Sequence, residues 1–383
     1  MEKIKHIFIS CGEPSGDLFA ANLITAIKSI IPDIKFSGLG GNLVRQVGGV
    51  TFYDIKELSV IGFFDSLKRL PVFLRLRKLI LKKIGEEKPD AIIFVDFSGF
   101  NLRLAKAINK KIPTIYYVSP QVWASRQGRV KIIKKYIDKM LVFFKFEEEF
   151  YRKFSIPAEF IGHPLLDIVK PSMEKPEFFA KFKLSESKTT ITLLPGSRHK
   201  EIENILPVML SSSLILLKEL KDVQVIIAKS THVDLDAYNR LLKNTVDLDI
   251  KIIEGQTYDC LNAADFCLVA SGTATLETAI MQKPFLIVYK MSPLNYHLYK
   301  PQVKIPYIGM FNIVANKKII PEFIQDEATG RNIADEAIKI LTSPQRLQDM
   351  KDSLKLIKPL LGESGASLRA AQIIVDFLQT PQP

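Results

Sequence analysis

Five short stretches of this sequence carry residues suited to chemistry. In "CGEPSGD" (residues 11–17), Glu13, Ser15 and Asp17 share a turn punctuated by glycine and proline. A carboxylate there can hold a sugar hydroxyl or assist a proton transfer. A plainer use is also open: Ser15 capping a helix, with Asp17 in its first turn. In "VDFSGFN", Asp96 ends an apolar run and has little formal charge nearby. A partly desolvated carboxylate has a raised pKa and can take a proton from a hydroxyl, although an Asp capping the next helix fits equally well. "SPQVW" follows another apolar run. In "LLPGSRHKEI", Gly196 allows close backbone approach, Ser197 can cap a helix, and Arg198 offers a fork of donors to phosphate oxygens. In "ASGTATLETAI", Ser271, Gly272 and Thr273 present hydroxyls and amides at a helix start, and Glu277 can accept from ribose hydroxyls one turn later. Either of the last two loops alone can be an ordinary capped helix. Together they describe a seat for a nucleotide diphosphate.

The elements that must position these loops are short apolar runs alternating with longer helical stretches. Ten runs have strand character: "IKHIFIS", "IKFSGLG", "AIIFVD", "PTIYYVS" and "KMLVFF", then "TTITLLP", "VQVIIAK", "IKIIEG", "FCLVAS" and "PFLIVYK". Near-continuous apolar strands separated by helices indicate parallel sheets covered on both faces. Ten strands divide more readily into two doubly wound α/β units than into one sheet. The Pro-, Lys- and Glu-rich stretch 162–188 marks the break, giving an expected first domain of 1–170 and a second of 171–363. A helix at 364–379, with an apolar face of Leu368, Ala371, Ile374 and Phe377, is expected to pack back on the first domain. In such sheets ligands bind beyond the carboxyl ends of the strands, where all five stretches fall. Two facing sheets would place them on either side of one cleft.

Composition narrows the partners. Net charge is +12 over 383 residues, which favours an anionic partner. There is no G-x-x-x-x-G-K-[ST], and "GLGGNL" fails the dinucleotide spacing. Five histidines form no close ligand pair, so no metal site is expected; His163, near the domain break, can face the cleft. Cys11, Cys260 and Cys267 are too far apart for a disulfide framework and suit a reducing cytosol. The opening residues read as a strand instead of a signal peptide, and no apolar run reaches the length of a membrane span. Residues 66–83, however, hold seven Lys or Arg and no acid among aliphatic side chains. That suits an interfacial basic helix, with too few aromatics for stacking nucleic-acid bases, though a surface helix with one core face fits as well.

Taken in order, these residues resemble the lipid-A-disaccharide synthase family of inverting GT-B glycosyltransferases. The shared stretches run nearly end to end: "GEPSGD", "GLGG", "SVIGFFDSLKRLP", "VDFSGFN", "YVSPQVWASRQGR", "FIGHP", "LLPGSRHKEI", "ASGTATLE", "YKMSP", "FNIVANKKIIPEFIQ" and "GASLRAA". The resemblance implies transfer of 2,3-diacylglucosamine from its UDP conjugate to 2,3-diacylglucosamine 1-phosphate (lipid X), without metal or cofactor, at the cytoplasmic face of the inner membrane. Asp96, Glu13 and Arg198 become the catalytic candidates. Gly196, Ser197, Arg198, Ser271, Gly272, Thr273 and Glu277 become the UDP seat, and Ser15, Asp17, Asn101 and Asn312 the acceptor and sugar contacts. Phe63, Phe64, Leu67, Lys68, Arg69, Leu70, Val72, Phe73, Arg75 and Arg77 are expected to meet acyl chains and anionic lipid. Family members include dimers that exchange carboxy-terminal segments, so a second copy is a candidate partner. The family commonly reads D-x-P-D-F-N at the catalytic Asp, where this chain has Ser98 and Gly99, and its usual second tryptophan is Ser125 here. Competing readings are a UDP-sugar epimerase, a transferase with a soluble acceptor, and a non-catalytic protein binding UDP or lipid at a membrane surface.

Overall fold

The computed structural model describes residues 4–55, 66–243 and 250–380. Chain contacts divide it into two compact units, Met1–Pro164 with Leu361–Pro383, and Leu165–Leu360. The first unit holds β1 (His6–Cys11), β2 (Lys35–Gly40), β3 (Val50–Asp54), β4 (Ala91–Val95), β5 (Thr114–Tyr117), β6 (Lys139–Val142) and β7 (Ala158–Phe160). They pair in the order β3-β2-β1-β4-β5-β6-β7, all parallel. The second unit holds β8 (Thr189–Leu194), β9 (Val223–Lys229), β10 (Ile250–Glu254), β11 (Phe266–Ala270), β12 (Phe285–Tyr289) and β13 (Glu322–Ile324). Their order is β10-β9-β8-β11-β12-β13, again all parallel.

The expected pair of doubly wound sheets is therefore present, and the strand sequences account for it. Ile7, Phe8 and Ile9 of β1, all of β4, and Phe266 to Val269 of β11 are fully buried, so both faces of the central strands are covered by helices. Three strands lie outside the ten expected runs: β3, β7 and β13. All are sheet edges with mixed polarity, where a continuous apolar run is not required.

Both sheets start in their middle. The chain winds outward from β1 through β2 and β3, then crosses back to β4 on the other side of β1. The second unit repeats the manoeuvre, with β11 returning beside β8. Each reversal opens a crevice at the carboxyl ends of two adjacent strands.

Two helices complete the first unit. Helix Ala366–Gln379 packs against helix Pro14–Ile30. Its buried stripe is Ala366, Ala370, Ala371, Ile374 and Val375; Leu368 is exposed and Phe377 only partly buried, so the expected face is corrected by a rotation of the helix. Arg369 fixes that rotation by donating to the carbonyls of Ile161, Glu363 and Ser364. Helix Ser66–Glu87 turns Leu76, Ile80 and Ile84 into the core at helical spacing. Phe73 joins them, with its ring 6.1 Å from Phe97 and 6.4 Å from Phe100, which corrects its expected exposure to acyl chains. On the same helix Arg75 is exposed, while Val72 and Arg77 are half-buried. Leu67, Lys68, Arg69 and Leu70 lie in its first turns. Phe63 and Phe64 fall outside the described residues.

Candidate active site at two sheet reversals

The crevice between β1 and β4 brings "GEPSGD" and "DFSGFN" together, because the two stretches follow adjacent strands. A Cβ placed on Gly16 would lie 3.9 Å from the Cβ of Asp96. Glu13, and not Ser15, stands at the N-cap of helix Pro14–Ile30; Pro14 takes the first helical position, where its missing N–H costs nothing. Ser15 is half-buried in the first turn.

Asp96 is not a helix cap either. Phe97 takes that position, and Asp96 and Phe97 are consecutive left-handed residues with φ of +48° and +45°. Such a pair is strained for L-residues and persists only where its surroundings hold it. Here Tyr116 Oη donates to the Asp96 carbonyl at 2.6 Å and Asn101 Nδ2 donates to it at 2.9 Å. Asn101 also spans to β1, accepting from Ser10 Oγ at 2.7 Å and donating to the Ser10 carbonyl at 3.0 Å. Asn101 is therefore corrected from a sugar contact to a buried brace across the reversal. Arg129, the last residue of the shared stretch "YVSPQVWASRQGR" but not among the site candidates, donates to Ser98 Oγ at 3.2 Å. It brings a guanidinium to the loop where this chain departs from the family pattern.

Asp17 receives the same kind of correction. It is only 2% exposed, and its carboxylate accepts the backbone amides of Gly41, Leu43 and Val44 at 2.7, 3.0 and 3.3 Å. It caps helix Asn42–Gln46 from a distance instead of presenting itself to an acceptor. Gly41 permits the approach: a Cβ there would sit 2.5 Å from Asp17 Oδ2.

The crevice between β8 and β11 is built alike. Arg198 itself occupies the N-cap of helix His199–Glu219, with about half its side chain exposed. Glu201 accepts from Ser197 N at 3.0 Å and from Arg198 Nη1 at 2.6 Å, so a carboxylate already sits over the loop amides. Gly196 makes this possible through a φ of +115°. Across the crevice, Thr273 is at the N-cap of helix Ala274–Ile280, preceded by Ser271 and Gly272. Glu277, one turn in, accepts from Tyr258 Oη at 3.0 Å, and burial raises its carboxyl pKa.

Asn312 is corrected too: it is fully buried. Its Nδ2 donates to the Ile320 carbonyl and Glu322 Oε1, and its Oδ1 accepts from Ile319 N and Ile320 N. Glu322, on an edge strand within the shared stretch "FNIVANKKIIPEFIQ", also accepts from Ile308 N and Gly309 N. Ser271 Oγ donates to the Ile308 carbonyl at 2.8 Å. Asn312 thus acts on the candidate nucleotide loop through Glu322 and Ile308.

His163 lies 3% exposed among Phe19, Phe143 and Phe144, and burial pushes its pKa down to about 3. It is a core histidine. Near it, Glu147 accepts from Trp123 Nε1 of the "SPQVW" loop at 2.9 Å, and burial pushes its carboxyl up to about 7. Between pH 4.5 and 7 the unfolded chain has lost a proton that folded Glu147 retains. Stability from this group therefore falls by about 1.4 kcal/mol per pH unit in that window and is level above it. His163 titrates in the opposite sense, so the contrast of Glu147→Gln with wild type isolates the term. Urea midpoints should show the variant gaining about 3 kcal/mol on wild type between pH 4.5 and 7. A constant difference would contradict this. Among the described residues, no group of three His, Cys, Asp or Glu side chains is placed to hold a metal ion.

The geometry matches known proteins at two levels. MnaA of S. aureus, solved with UDP, superposes over 99% of both chains with a TM-score of 0.68 at 15% identity. CalG4, the calicheamicin glycosyltransferase, covers all of both chains with a TM-score of 0.62 at 14% identity. At such identity the likeness speaks to the fold, which is GT-B-like. In sequence, the lipid-A-disaccharide synthase of Syntrophus aciditrophicus (strain SB) is 37% identical over 376 residues, covering 98% of each chain. The family model described as lipid-A-disaccharide synthetase matches residues 7–375. With two sheet reversals carrying its motifs and the match running nearly end to end, the chain belongs to the lipid-A-disaccharide synthetase family.

Proposed function

We propose that this glycosyltransferase of lipid A disaccharide synthesis moves 2,3-diacylglucosamine from UDP-2,3-diacylglucosamine to the 6-hydroxyl of 2,3-diacylglucosamine 1-phosphate. The observation that carries the reading is the pairing of chemistry with topology. The carboxylate-bearing loops meet at one reversal, and the amide-, hydroxyl- and Arg-bearing loops meet at the other. In the proposed step the acceptor oxygen attacks the donor's anomeric carbon as the bond to the diphosphate oxygen breaks. The hydroxyl proton passes to Asp96, UDP leaves with the bonding electrons, and the anomeric centre inverts.

Each unit has a distinct part in this proposal. In the second, Arg198 and the amides of residues 196–197 and 271–273 would stabilise the diphosphate as its charge grows, with Glu201 swinging aside. Glu277, oriented by Tyr258, would hold the ribose. The first unit would seat the acceptor near Glu13, Ser15 and Asp96. Its helix Ser66–Glu87, with exposed Arg75 and Lys78, would rest on anionic lipid at the cytoplasmic face of the inner membrane. Peripheral attachment suits the absence, among the described residues, of a helix long and apolar enough to cross a bilayer.

Purified protein given both diacylated sugars in mixed micelles is expected to yield a disaccharide 1-phosphate and one UDP per transfer, followed by mass spectrometry. UDP release without disaccharide, or no product from a folded sample that binds UDP, would sink the reading.

A further inference from the structure

No Asp or Glu stands between Glu277 and Glu322, an interval that holds Lys283, Lys290, Lys300, Lys304, Lys317 and Lys318. The first two turn inward, to the carbonyls of Asn262 and Ala328. The other four are exposed. In the middle of the interval, helix Pro293–Tyr299 and the turn after it show large aliphatic side chains to solvent. Leu294 is 72% exposed, Leu298, one turn along the same face, 59%, and Val303 45%. Lys300 lies 5.4 Å over the ring of Tyr296 beside them.

The segment is anchored at both ends, at the second of them to the candidate nucleotide loop. Met291 exchanges two hydrogen bonds with Gln325, just past β13, and the Ile308 carbonyl accepts Ser271 Oγ. Between these anchors the aliphatic side chains project from the carboxyl edge of the second sheet, where β12 ends.

An apolar patch rimmed by cations, with no anion in the interval, has few complementary partners. A two-fold interface with another copy would set these lysines against their own equivalents, which like-charge repulsion opposes. An anionic lipid surface meets both properties, since leucines can enter the acyl boundary while lysines pair with phosphate head groups. We propose that residues 293–304 form a membrane-docking face of the second unit, seated on anionic phospholipid beside the nucleotide loops. This deepens the membrane association proposed above, which otherwise depends on helix Ser66–Glu87 of the first unit.

The test is co-sedimentation of the full chain with vesicles of phosphatidylcholine, with and without phosphatidylglycerol. Wild type is expected to sediment with the anionic vesicles. Leu294→Ser with Leu298→Ser, and separately Lys300→Gln with Lys304→Gln, should each weaken partitioning roughly tenfold. Thermal melting and UDP affinity, expected to match wild type, show that the variants are folded. A matching pair, Arg75→Gln with Lys78→Gln, probes the first unit. If that pair alone loses binding, the docking face is wrong and the first-unit reading stands. If only the 293–304 variants lose it, the reverse holds. Equal binding by wild type and the 293–304 variants overturns the inference, as does a dimer in wild type that the leucine pair dissolves.

Discussion

Replacing Asp96 by Asn is expected to lower turnover about 1000-fold while leaving UDP affinity within about twofold of wild type. Asn is the informative substitution for a structural reason. The bonds that brace this position, from Tyr116 and Asn101, go to the backbone carbonyl and not to the carboxylate. The left-handed φ of +48° is also one that Asn accepts more readily than Ala, so Asp96→Ala would mix a chemical loss with roughly 1–2 kcal/mol of backbone strain. Arg198→Ala should show the opposite pattern, with UDP affinity falling roughly tenfold or more, because a charge-assisted contact to phosphate is lost. Single-turnover kinetics and calorimetric titration with UDP separate the two. Activity of Asp96→Asn within tenfold of wild type would remove Asp96 as the base. Loss of UDP binding in both variants would undo the division of roles.

The second large effect is on stability. Asp17→Ala should destabilise the first unit by about 3 kcal/mol, because it leaves three amides at the start of helix Asn42–Gln46 without their buried carboxylate. Asp17→Asn should recover little, since its amide group must turn a donor toward at least one of those donors. Denaturant unfolding followed by far-ultraviolet circular dichroism measures both. Unchanged stability with a raised KM for the acceptor would instead restore Asp17 to the substrate side.

Why Asp17 misleads shows what a sequence carries about this site. Its loop is legible because glycine, proline and carboxylates rarely cluster behind a buried strand. The direction in which each carboxylate points is not, because it depends on Gly41, which stands 24 positions away and becomes a neighbour only through β2. Asn101 and Asn312 belong to the same class: expected substrate contacts whose side-chain hydrogen bonds are made inside the fold. The helix starts shift for a related reason. Ser15 and Ser197 have the better capping chemistry, yet the strand ends deliver the chain so that Glu13 and Arg198 take the cap positions. By contrast, the central strands could be read directly, since burial on both faces demands an unbroken apolar run. The edge strands β3, β7 and β13 are under no such demand. The left-handed pair at Asp96 and Phe97 left no mark on local composition at all.

The division of the chain has a consequence for biogenesis. The second unit is an insertion between Pro164 and Leu361, and the first unit is closed by a helix, Ala366–Gln379, made more than 330 residues after helix Pro14–Ile30, against which it packs. On the ribosome, helix Pro14–Ile30 must wait, with the face that meets residues 366–379 uncovered, until those residues emerge. The inserted unit, whose residues are contiguous, can complete its core first. Synthesis therefore passes through a stage in which the second unit is finished and the first still exposes apolar surface, an aggregation-prone intermediate.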